Sequence, residues 1–471
     1  MIVPPTGKYI REDRCQTPID NLKTVALRPP IDLMYAAAGC EQGGAECRLT
    51  DYPAENLGWS DLEAQLRDFQ PDGLVLSITT PSLHDDLQAA SLAKRVNPSI
   101  ITMAKGAHFN TLDVRTLREY PDLDLVFRGE YEEACAEVAQ GRPFESILGI
   151  TWRRPADGQI VQNPPRPLPR DIDGIPFPAR HLVKNHLYVR PDTGRMQTTI
   201  VTNRGCPFSC TYCLANQVSG LRNRLRSPEN VVAELKECIE RFGIRSFLFR
   251  SDLFTQKPDW VIALSDLIIR EGLQIDWACN SRVDTVREDM LRRMKAAGCW
   301  IIAFGVESGD QDTLDRIRKK ARVEQAFEAV RLCRRTGIRS SVYLLFGLPW
   351  DSPHSLQANI DFGKKLNPDF LEIFFVYPFP GTEMYRQAVE LGLLKDGEIP
   401  RNAYGEPAMP TLHMSIEDLR QWRRRALRQF YLRPRYIART LRQAGSPAAL
   451  LNYMRLGVAQ LMDIVRPVSS S

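Results

Sequence analysis

Long apolar runs are missing from the sequence. No stretch approaches the roughly 18 consecutive apolar residues of a membrane-spanning helix, and residues 1–13 contain no apolar signal core. We therefore expect a cytoplasmic protein that does not cross a bilayer and whose thiols are reduced. The net charge of +5 on 471 residues is too small to indicate a nucleic-acid partner by itself.

The cysteine pattern of disulfide-stapled proteins is also missing. Eleven cysteines are present, but eight of them are scattered, and several of those lie in apolar segments where Cys is usually a small core residue. We assign these eight no chemistry. The other three fall within eight residues and form the one dense group.

The chain is long enough for two or three domains with substantial cores. Residues 1–150 alternate short apolar runs with helical patterns, which predicts a doubly wound α/β domain of the Rossmann or flavodoxin type. Ligands of such sheets bind at the C-terminal ends of the strands. The predicted strands are 73–78, 99–106 and 124–129, and the loops that end them are 77–82, 106–109 and 129–131.

Three further regions follow this domain. Residues 151–192 are rich in Pro, Arg and Asp, which predicts an irregular interdomain linker. Residues 193–395 predict a partial or complete β/α barrel with its chemistry at the C-terminal ends of the strands. Residues 396–471 are predicted to be helical and basic, with nine arginines and no acidic residue from 420 to 442. The six predicted barrel strands are 198–203, 246–251, 275–281, 300–306, 340–347 and 369–378.

The dense cysteine group directly follows the first barrel strand. In NRGCPFSCTYCLAN, Cys206, Cys210 and Cys213 have the spacing C-x3-C-x2-C. Three thiolates can fill three iron sites of a [4Fe–4S] cubane and leave the fourth iron open for another ligand. A structural zinc site is an alternative, but it needs four ligands, and no second C-x2-C pair or nearby His follows. Three core cysteines are a further alternative, which the surrounding Arg, Asn, Gly and Pro disfavour because they indicate a loop.

Residues 195–385 resemble the radical S-adenosylmethionine (SAM) superfamily. The resemblance rests on the three-cysteine loop and on GVESG at 305–309, FGLPW at 346–350 and NSRVD at 280–284, each after a predicted strand. It implies a partial (β/α)6 barrel whose cluster, held by the three cysteines, cleaves SAM to a 5′-deoxyadenosyl radical. Arg282 would pair with the SAM carboxylate. The implied cofactor-binding residues on this side are Tyr212, which would shield the cluster edge, and Asn280, Arg282, Gly305, Glu307, Gly347 and Pro349.

The first domain resembles the cobalamin-binding domains of cobalamin-dependent radical SAM enzymes. Small hydroxyl residues end the strand at 73–78 in LSITTPSL, and RGEYE at 128–132 resembles the Gly-Glu turn of such domains. Together with the order of the two domains, the resemblance covers about 380 of 471 residues. The implied cobalamin-binding residues are Ser77, Thr79, Thr80, Ser82, Gly106, Gly129 and Glu130.

The cobalt-ligating motif D-x-H-x-x-G of methionine-synthase-like domains is missing. The lower axial position of cobalt therefore has no predicted ligand, and His84 and His108 stay open as candidates beside ordinary loop or packing roles. A flavodoxin-like domain without a cofactor, or with another nucleotide, is the alternative for the whole domain. A dinucleotide fingerprint is not present, because no G-x-G-x-x-G opens a helix.

The chemistry most often implied by this resemblance is C-methylation of an unactivated carbon. SAM would supply both methyl group and radical, cobalamin would carry the methyl group, and a flavodoxin or ferredoxin would supply electrons. Ring formation or oxidative cyclisation without methyl transfer is the alternative on the same scaffold, with tetrapyrrole, lipid or peptide substrates. A non-catalytic cobalamin sensor is the alternative of another class, and the intact cysteine triad argues against it, since a sensor needs no open iron.

The arginines at 420–442 have several interpretations. They could form a solvated helix face or contact an anionic substrate, and with the amphipathic segment 447–465 they could lie on an acidic membrane surface. Nucleic acid is not expected, because the N-terminal and C-terminal modules of radical SAM tRNA methylthiolases are not seen.

Overall fold

Two seven-stranded sheets and a hairpin organise the protein. The computed structural model describes residues 1–12, 15–18, 27–401 and 403–443. Within them, the strands of the N-terminal sheet and of the hairpin are β1 (Ile2–Val3), β2 (Tyr9–Glu12), β3 (Cys15–Pro18), β4 (Thr50–Asp51), β5 (Gly73–Ser77), β6 (Ile101–Lys105), β7 (Leu125–Phe127), β8 (Ile150–Arg153) and β9 (Ile160–Gln162). The strands of the second sheet are β10 (Gln197–Arg204), β11 (Arg224–Leu225), β12 (Ser246–Ser251), β13 (Asp276–Ser281), β14 (Cys299–Glu307), β15 (Arg339–Phe346) and β16 (Phe370–Phe375).

Helices follow most strands of both sheets. In the N-terminal part they are α1 (Ile31–Gln42), α2 (Tyr52–Glu55), α3 (Trp59–Phe69), α4 (Leu83–Asp86), α5 (Gln88–Val96), α6 (Phe109–Glu119) and α7 (Glu132–Ala139). In the rest of the chain they are α8 (Ala215–Ser219), α9 (Pro228–Phe242), α10 (Pro258–Arg270), α11 (Glu288–Ala296), α12 (Gln311–Arg316), α13 (Val323–Thr336), α14 (Pro353–Leu366), α15 (Glu383–Glu390), α16 (Ile416–Tyr431) and α17 (Pro434–Gln443).

The N-terminal sheet has the order β4-β1-β5-β6-β7-β8-β9, and the strands from β4 to β7 are parallel. The three predicted strands are confirmed as β5, β6 and β7. Helices cover both faces, so Val75 enters one apolar core while Leu74 and Leu76 enter the other. This confirms the predicted doubly wound arrangement. The strands β1 and β4 were not predicted, because two residues show no periodicity.

Two antiparallel strands extend this sheet into the predicted linker. Strand β8 pairs with β7, and β9 pairs with β8. Trp152 on β8 is buried and donates from Nε1 to Asn163 Oδ1 at 3.2 Å. The prediction that 151–192 lacks regular structure is therefore wrong for 151–153 and 160–162, where short apolar pairs are hidden by the Pro and Arg around them. Residues 163–192 contain two short 3₁₀ turns and the isolated antiparallel bridge of Val189 with Met196.

The second sheet has the order β11-β10-β12-β13-β14-β15-β16. Six of its strands are parallel, and β11 is an antiparallel addition to β10. All six predicted barrel strands are confirmed. One core packs between these strands and the outer helices, with Trp277 stacked on Phe249 at 4.6 Å between ring centroids. In the described chain β16 does not pair with β10, so the barrel is partial.

The C-terminal helices α16 and α17 close the edge of the open barrel and confirm the helical prediction for 416–443, whereas the described residues of 396–415 form no helix. Tyr431 of α16 accepts a hydrogen bond from the Leu371 amide (3.1 Å) and donates one to the Leu371 carbonyl (2.8 Å). Arg423 donates to the carbonyl of Ile373 at 3.2 Å. Side chains thus satisfy the edge of β16 that would otherwise be open to another strand. The predicted amphipathic segment 447–465 lies outside the described residues.

Candidate functional site

The cysteine loop turns sharply at the C-terminal end of β10. Gly205 has φ of +92°, and a Cβ there would lie 2.1 Å from the carbonyl oxygen of Arg222, so only glycine fits. Its amide donates to Asp252 Oδ2 at 2.5 Å, and the Cys206 amide donates to the carbonyl of Gly220 at 3.1 Å. These contacts direct the chain that carries the cysteines across the mouth of the barrel.

The three predicted cluster ligands share one wall of a cavity. Cys206, Cys210 and Cys213 are partly buried free thiols and line a cavity of about 750 Å³ inside the barrel. The amide of Ala215 donates to Cys213 Sγ at 3.5 Å. The described residues contain no group of three or more His, Cys, Asp or Glu side chains able to hold a single metal ion. A cubane binds each thiolate to a different iron, so three thiols that line one cavity fit the donor set of a [4Fe–4S] cluster.

The GVESG motif forms a cradle beside the cysteines. Glu307 ends β14 with φ of +70°, an unusual conformation for a residue with a side chain. Its carboxylate folds back over Gly305, where a Cβ would lie 2.5 Å from Glu307 Oε1. Lys319 Nζ donates to the same oxygen at 2.7 Å, and both side chains are nearly buried. Lys319 was missed by the sequence analysis, because it lies in a turn between α12 and α13 that matches no motif used there.

Tyr212 lies against this cradle, beside the thiols. Burial raises the pKa of Tyr212 well above its usual range, and the nearby charges of Glu307, Cys210 and Cys213 add to the rise. Its phenol is therefore a neutral hydrogen-bond donor at every physiological pH. Tyr212 therefore lines the same cavity as the three cysteines, and its role as a shield of the cluster edge stays a prediction.

Arg282 and Asn280 also border the cavity. The guanidinium of Arg282 pairs with Asp284 at 2.8 Å, donates to the Lys319 carbonyl at 2.7 Å, and stacks 3.8 Å from the centroid of Phe208. Asp284 thus already pairs with the guanidinium of Arg282. The resemblance implies instead that this guanidinium pairs with the SAM carboxylate. In this structure Arg282 holds the Lys319 turn against the cysteine loop.

The FGLPW turn supports the cavity from outside. Gly347 (φ of +80°) and Pro349 are not among the residues that line the cavity. The Pro349 carbonyl accepts from the Leu412 amide at 2.9 Å, and Asp351 accepts from the Leu348 amide at 3.0 Å. Burial raises the pKa of Asp351 to about 7. The structure therefore separates these two predicted SAM contacts from the other five, which all line the cavity.

The predicted hydroxyl loop of the first domain is buried at the end of β5. The Thr79 and Ser82 hydroxyls lie 2.5 Å apart, and Ser82 donates to Asp86 at 2.5 Å. Gly106 approaches closely, since a Cβ there would lie 2.4 Å from the Ile78 carbonyl oxygen. The cobalamin resemblance requires small hydroxyl residues beside a glycine that allows a close approach of the backbone. The loop at 77–82 and Gly106 have this arrangement.

The hairpin of β2 and β3 covers this loop. Arg11 pairs with Asp86 at 2.7 Å and donates to the Ser77 carbonyl at 2.7 Å, while Gln16 accepts from the Thr80 amide at 2.7 Å. The four predicted hydroxyl residues are consequently nearly inaccessible. Sequence reasoning missed the hairpin residues, because nothing in their pattern links them to a loop 60 residues away.

Gly129 and Glu130 lie at the domain interface. Gly129 has φ of +67° and open space at its Cβ position. Glu130 pairs with Arg224 at 2.5 Å, and Glu132 pairs with Arg204 at 2.6 Å. Both pairs are nearly buried, so Glu130 joins the first domain to the barrel, a role that the sequence did not predict.

A third ion pair crosses the same interface. Asp32 of α1 pairs with Arg250 of β12 at 2.9 Å and lies 3.3 Å from Lys105. Burial would raise the pKa of Asp32, but the positive charges of Arg250 and Lys105 lower it to about 2. The interface therefore keeps its carboxylate charged over the physiological range.

Neither candidate histidine lines the cavities at the cluster or at the domain interface. His84 lies on the surface, 3.3 Å from the Tyr120 hydroxyl. His108 is buried, its Nε2 lies 3.1 Å from the Thr116 hydroxyl, and burial lowers its pKa to about 3. His108 is therefore a packing residue, and His84 is a surface residue.

The first domain reaches the cluster cavity through its N-terminal segment. Ile10, Glu12 and Arg28 line the cavity together with the three cysteines, and Arg28 pairs with Glu12 at 2.6 Å. The two domains thus face one shared space.

No helix of the described residues is long and apolar enough to cross a bilayer.

Comparisons with known proteins match both halves of the chain. The model of the radical SAM superfamily matches residues 200–363, and that of the B12 binding domain matches residues 21–139. An uncharacterized methyltransferase of Pyrococcus horikoshii is 31% identical over 417 residues, which are 88% of this chain and 90% of the relative. The chain belongs to the cobalamin-dependent radical SAM enzymes. Its cofactors are a [4Fe–4S] cluster, SAM and cobalamin, as in that family.

Other members of this family differ in the reactions that their names state. The anaerobic magnesium-protoporphyrin IX monomethyl ester cyclase of Rubrivivax gelatinosus is 25% identical over 370 residues, which are 76% of this chain and 66% of the cyclase. The structure of the cobalamin-dependent SAM radical enzyme OxsB with aqua-cobalamin and SAM superposes with a TM-score of 0.72 at 17% identity, covering 95% of this chain and 70% of that one. That likeness concerns the fold alone.

The arginines of the C-terminal helices are divided between two roles. Arg433 donates to the Lys364 carbonyl (2.9 Å) and Arg439 to the Pro368 carbonyl (2.6 Å), so both cap the end of α14. Arg428 and Arg435 are exposed. The segment is therefore neither wholly structural nor wholly available for a partner.

Proposed function

We propose that this enzyme methylates an unactivated carbon of its substrate. The observation that carries the proposal is the shared cavity, where Ile10, Glu12 and Arg28 of the cobalamin-binding half face the thiols of Cys206, Cys210 and Cys213. Methyl transfer to a carbon radical requires radical formation and methyl supply at one place, because the radical must be captured before it reacts elsewhere. A cavity walled by both domains provides that place.

The bound groups supply electron transfer, radical formation and methyl carriage, and the protein positions them. Three thiols hold the cluster and leave a coordination site open. The Glu307–Lys319 pair at 2.7 Å and the neutral Tyr212 phenol offer fixed charges and a donor to the polar part of SAM. The glycines at 205 and 305 allow the backbone to approach closely. The apolar cavity wall offers a carbon radical few side reactions, so it favours reaction with the positioned groups.

The named relatives support methyl transfer without deciding it. The 31% identical relative is described as a methyltransferase, whereas the cyclase is 25% identical. A cyclisation on the same scaffold is the second candidate, and the same cavity would serve it. A non-catalytic cobalamin sensor is disfavoured, because three thiols on a cavity wall have no role in it.

Product analysis separates these functions. The reduced enzyme would be incubated with methyl-deuterated SAM and a cell extract that contains the substrate. Methyl transfer predicts deuterium in the product and near-equal amounts of S-adenosylhomocysteine and 5′-deoxyadenosine. Accumulation of 5′-deoxyadenosine without S-adenosylhomocysteine and without label would favour ring formation. No substrate-dependent nucleoside at all would favour the sensor. Flavodoxin and ferredoxin would be compared as electron donors.

The C-terminal helix is proposed to contact an anionic membrane surface. The segment from Arg428 to Leu441 exposes Leu432, Ile437 and Leu441, which are 41%, 43% and 48% accessible and also line the cluster cavity. The exposed Arg428 and Arg435 lie in the same segment. Apolar side chains beside arginines match an acidic headgroup layer. Sedimentation with phosphatidylserine vesicles should retain the protein, and Arg428→Gln with Arg435→Gln should weaken retention. Equal sedimentation with phosphatidylcholine vesicles would contradict the role of charge.

A further inference from the structure

The cluster cavity continues into the barrel, where an acidic side chain lies on an aromatic wall. Glu372 of β16 is directly across from Tyr343 of β15 in the parallel register. Both line the cavity, together with Ser341 and Phe374. Side chains alternate along a strand, so Glu372 faces the cavity while its neighbour Ile373 enters the outer core.

No salt bridge to Glu372 occurs among the described residues. Burial raises the pKa of this carboxyl to about 7, although the charges of Arg28 and Arg423 and the Ser341 hydroxyl oppose the rise. An ionised carboxylate has about four acceptor sites, so Glu372 can accept a further hydrogen bond from a ligand in the cavity. Nothing in the proposed chemistry at the cluster uses it.

A continuous series of aromatic rings connects this carboxyl with the cluster end of the barrel. Tyr343 contacts Phe374 (5.1 Å between centroids), Phe374 contacts Tyr404 (6.1 Å), and Tyr404 contacts Phe379 (6.3 Å). Phe379 then contacts Tyr377 at 4.5 Å, and Tyr377 packs in one cluster with Leu214, the residue after Cys213. This wall favours an apolar or aromatic ligand.

The position of Glu372 sets a length for such a ligand. It lies four residues before Val376, which follows the C-terminal end of β16 and also lines the cavity. Four residues of a parallel strand span about 13 Å. A ligand anchored at Glu372 must therefore extend roughly that far before its other end reaches the level of the cysteine loop.

The charges around Glu372 determine which kind of polar group of a ligand can bind beside the carboxyl. The guanidiniums of Arg28 and Arg423 both influence the carboxyl, and Arg28 also belongs to the Glu12 pair on the same wall. A cationic ligand would be repelled by these two arginines. A neutral hydroxyl or N–H can donate to the carboxyl without this penalty.

We propose that Glu372 anchors the substrate, which is a largely apolar or aromatic molecule about 13 Å long with one neutral hydrogen-bond donor at the end remote from the reacting carbon. The inference rests on the proposed function, since it takes this cavity as the substrate site. Glu372 is a positioning residue in this scheme, because it binds the remote end and takes no part in the chemistry at the cluster.

Matched probes test the anchor without turnover. The full chain, with its cluster, SAM and cobalamin, would be titrated anaerobically with 2-naphthylethanol, 2-ethylnaphthalene and 2-naphthylethylamine at pH 8. A hydrogen bond to a charged acceptor should make the alcohol bind about tenfold more tightly than the hydrocarbon. Glu372→Leu should abolish the preference for the alcohol and leave binding of the hydrocarbon unchanged. Glu372→Gln should keep most of the preference for the alcohol. Exposed Glu390→Gln is the control, and cluster absorption reports folding of each variant.

Several results would overturn the inference. An alcohol preference that survives in Glu372→Leu would show that another group is the anchor. Tightest binding of the amine would show a cation site, and failure of all three probes to bind would show that the aromatic wall is not a ligand site. The methyl-label experiment is separate, because label can enter the product whatever anchors the substrate, and so either proposal can fail alone.

Discussion

Polar groups are covered by other residues in one cofactor region of the molecule and face a cavity in the other. In the first domain, the hydroxyls of Thr79 and Ser82 bond to each other and to Asp86, and the hairpin covers them. In the barrel, three thiols and a carboxyl face a cavity of about 750 Å³. The first site depends on distant residues, Arg11 and Gln16, whereas the second is shaped locally, by the turn at Gly205 and by the close approach of the Glu307 side chain to Gly305. Breaking either region should therefore have different consequences.

The largest effect is expected from the cysteine loop. Replacing Cys206, Cys210 and Cys213 together with Ala removes every protein ligand of the cubane, so about four iron and four sulfide per chain should be lost, together with all SAM cleavage. Iron analysis and absorption spectra after anaerobic reconstitution measure this. Cys47→Ala is the control, and a normal cluster in the triple variant would refute the assignment.

The next effect concerns the cradle of the barrel site. Gly305→Ala places a Cβ 2.5 Å from Glu307 Oε1, so the carboxylate must leave its position over the glycine. We expect SAM affinity to fall on the order of tenfold, as measured by anaerobic equilibrium dialysis. Gly174→Ala is the control, since a Cβ there meets nothing within 4 Å. Unchanged SAM affinity in Gly305→Ala would remove Glu307 from the SAM site.

A substitution at the domain interface is expected to lower the stability of the protein. Glu130→Gln leaves the buried guanidinium of Arg224 without its carboxylate, which lies at 2.5 Å, and should reduce the free energy of unfolding by about 3 kcal/mol. Urea unfolding at constant pH measures it. Glu63→Gln breaks an exposed pair with Arg67 and should change almost nothing. Equal effects of the two variants would show that the interface pair is as weak as a surface one.

The barrel carboxyl predicts a pH-dependent stability. The pKa of Glu372 rises from 4.5 to about 7 on folding, so the folded state holds the proton more tightly and stability falls as the pH rises from 4.5 to 7. Glu372→Gln removes this loss and should stabilise the protein at pH 8 by up to about 3 kcal/mol. The gain should fall to about 1 kcal/mol at pH 5 and vanish below about pH 4. A gain that is independent of pH would contradict the raised pKa.

The smallest effect is expected at the histidines. Electron paramagnetic resonance of the cobalt(II) form of bound cobalamin should show no nitrogen superhyperfine splitting, because His108 is buried beside Thr116 and His84 lies on the outer surface. His84→Ala should leave the spectrum unchanged. Nitrogen splitting that disappears in His84→Ala or His108→Ala would identify a cobalt ligand and contradict this expectation.

Local patterns account for much of what the sequence predicted. Strands β5 to β7 and the six parallel barrel strands are apolar runs bounded by turns, and the cysteine spacing specifies a cubane site because three thiols within eight residues stay together in any fold. The linker was predicted less well, since strands β8 and β9 are too short to outweigh the prolines around them. The direct SAM contacts predicted for Gly347 and Pro349 have no counterpart on the cavity wall, because a short motif does not reveal which of its sides faces the ligand.

The amino-acid sequence alone determined the order of the domains, the cluster ligands and the hydroxyl loop, because each is encoded by residues close together in the chain. Only the tertiary structure decided which charges meet. Glu130 pairs with Arg224 across 94 positions and Asp32 with Arg250 across 218, Lys319 reaches Glu307 from another turn, and Glu372 faces an aromatic wall built from several segments. Such contacts depend on how sheets and helices pack, and no pattern of neighbouring residues records them.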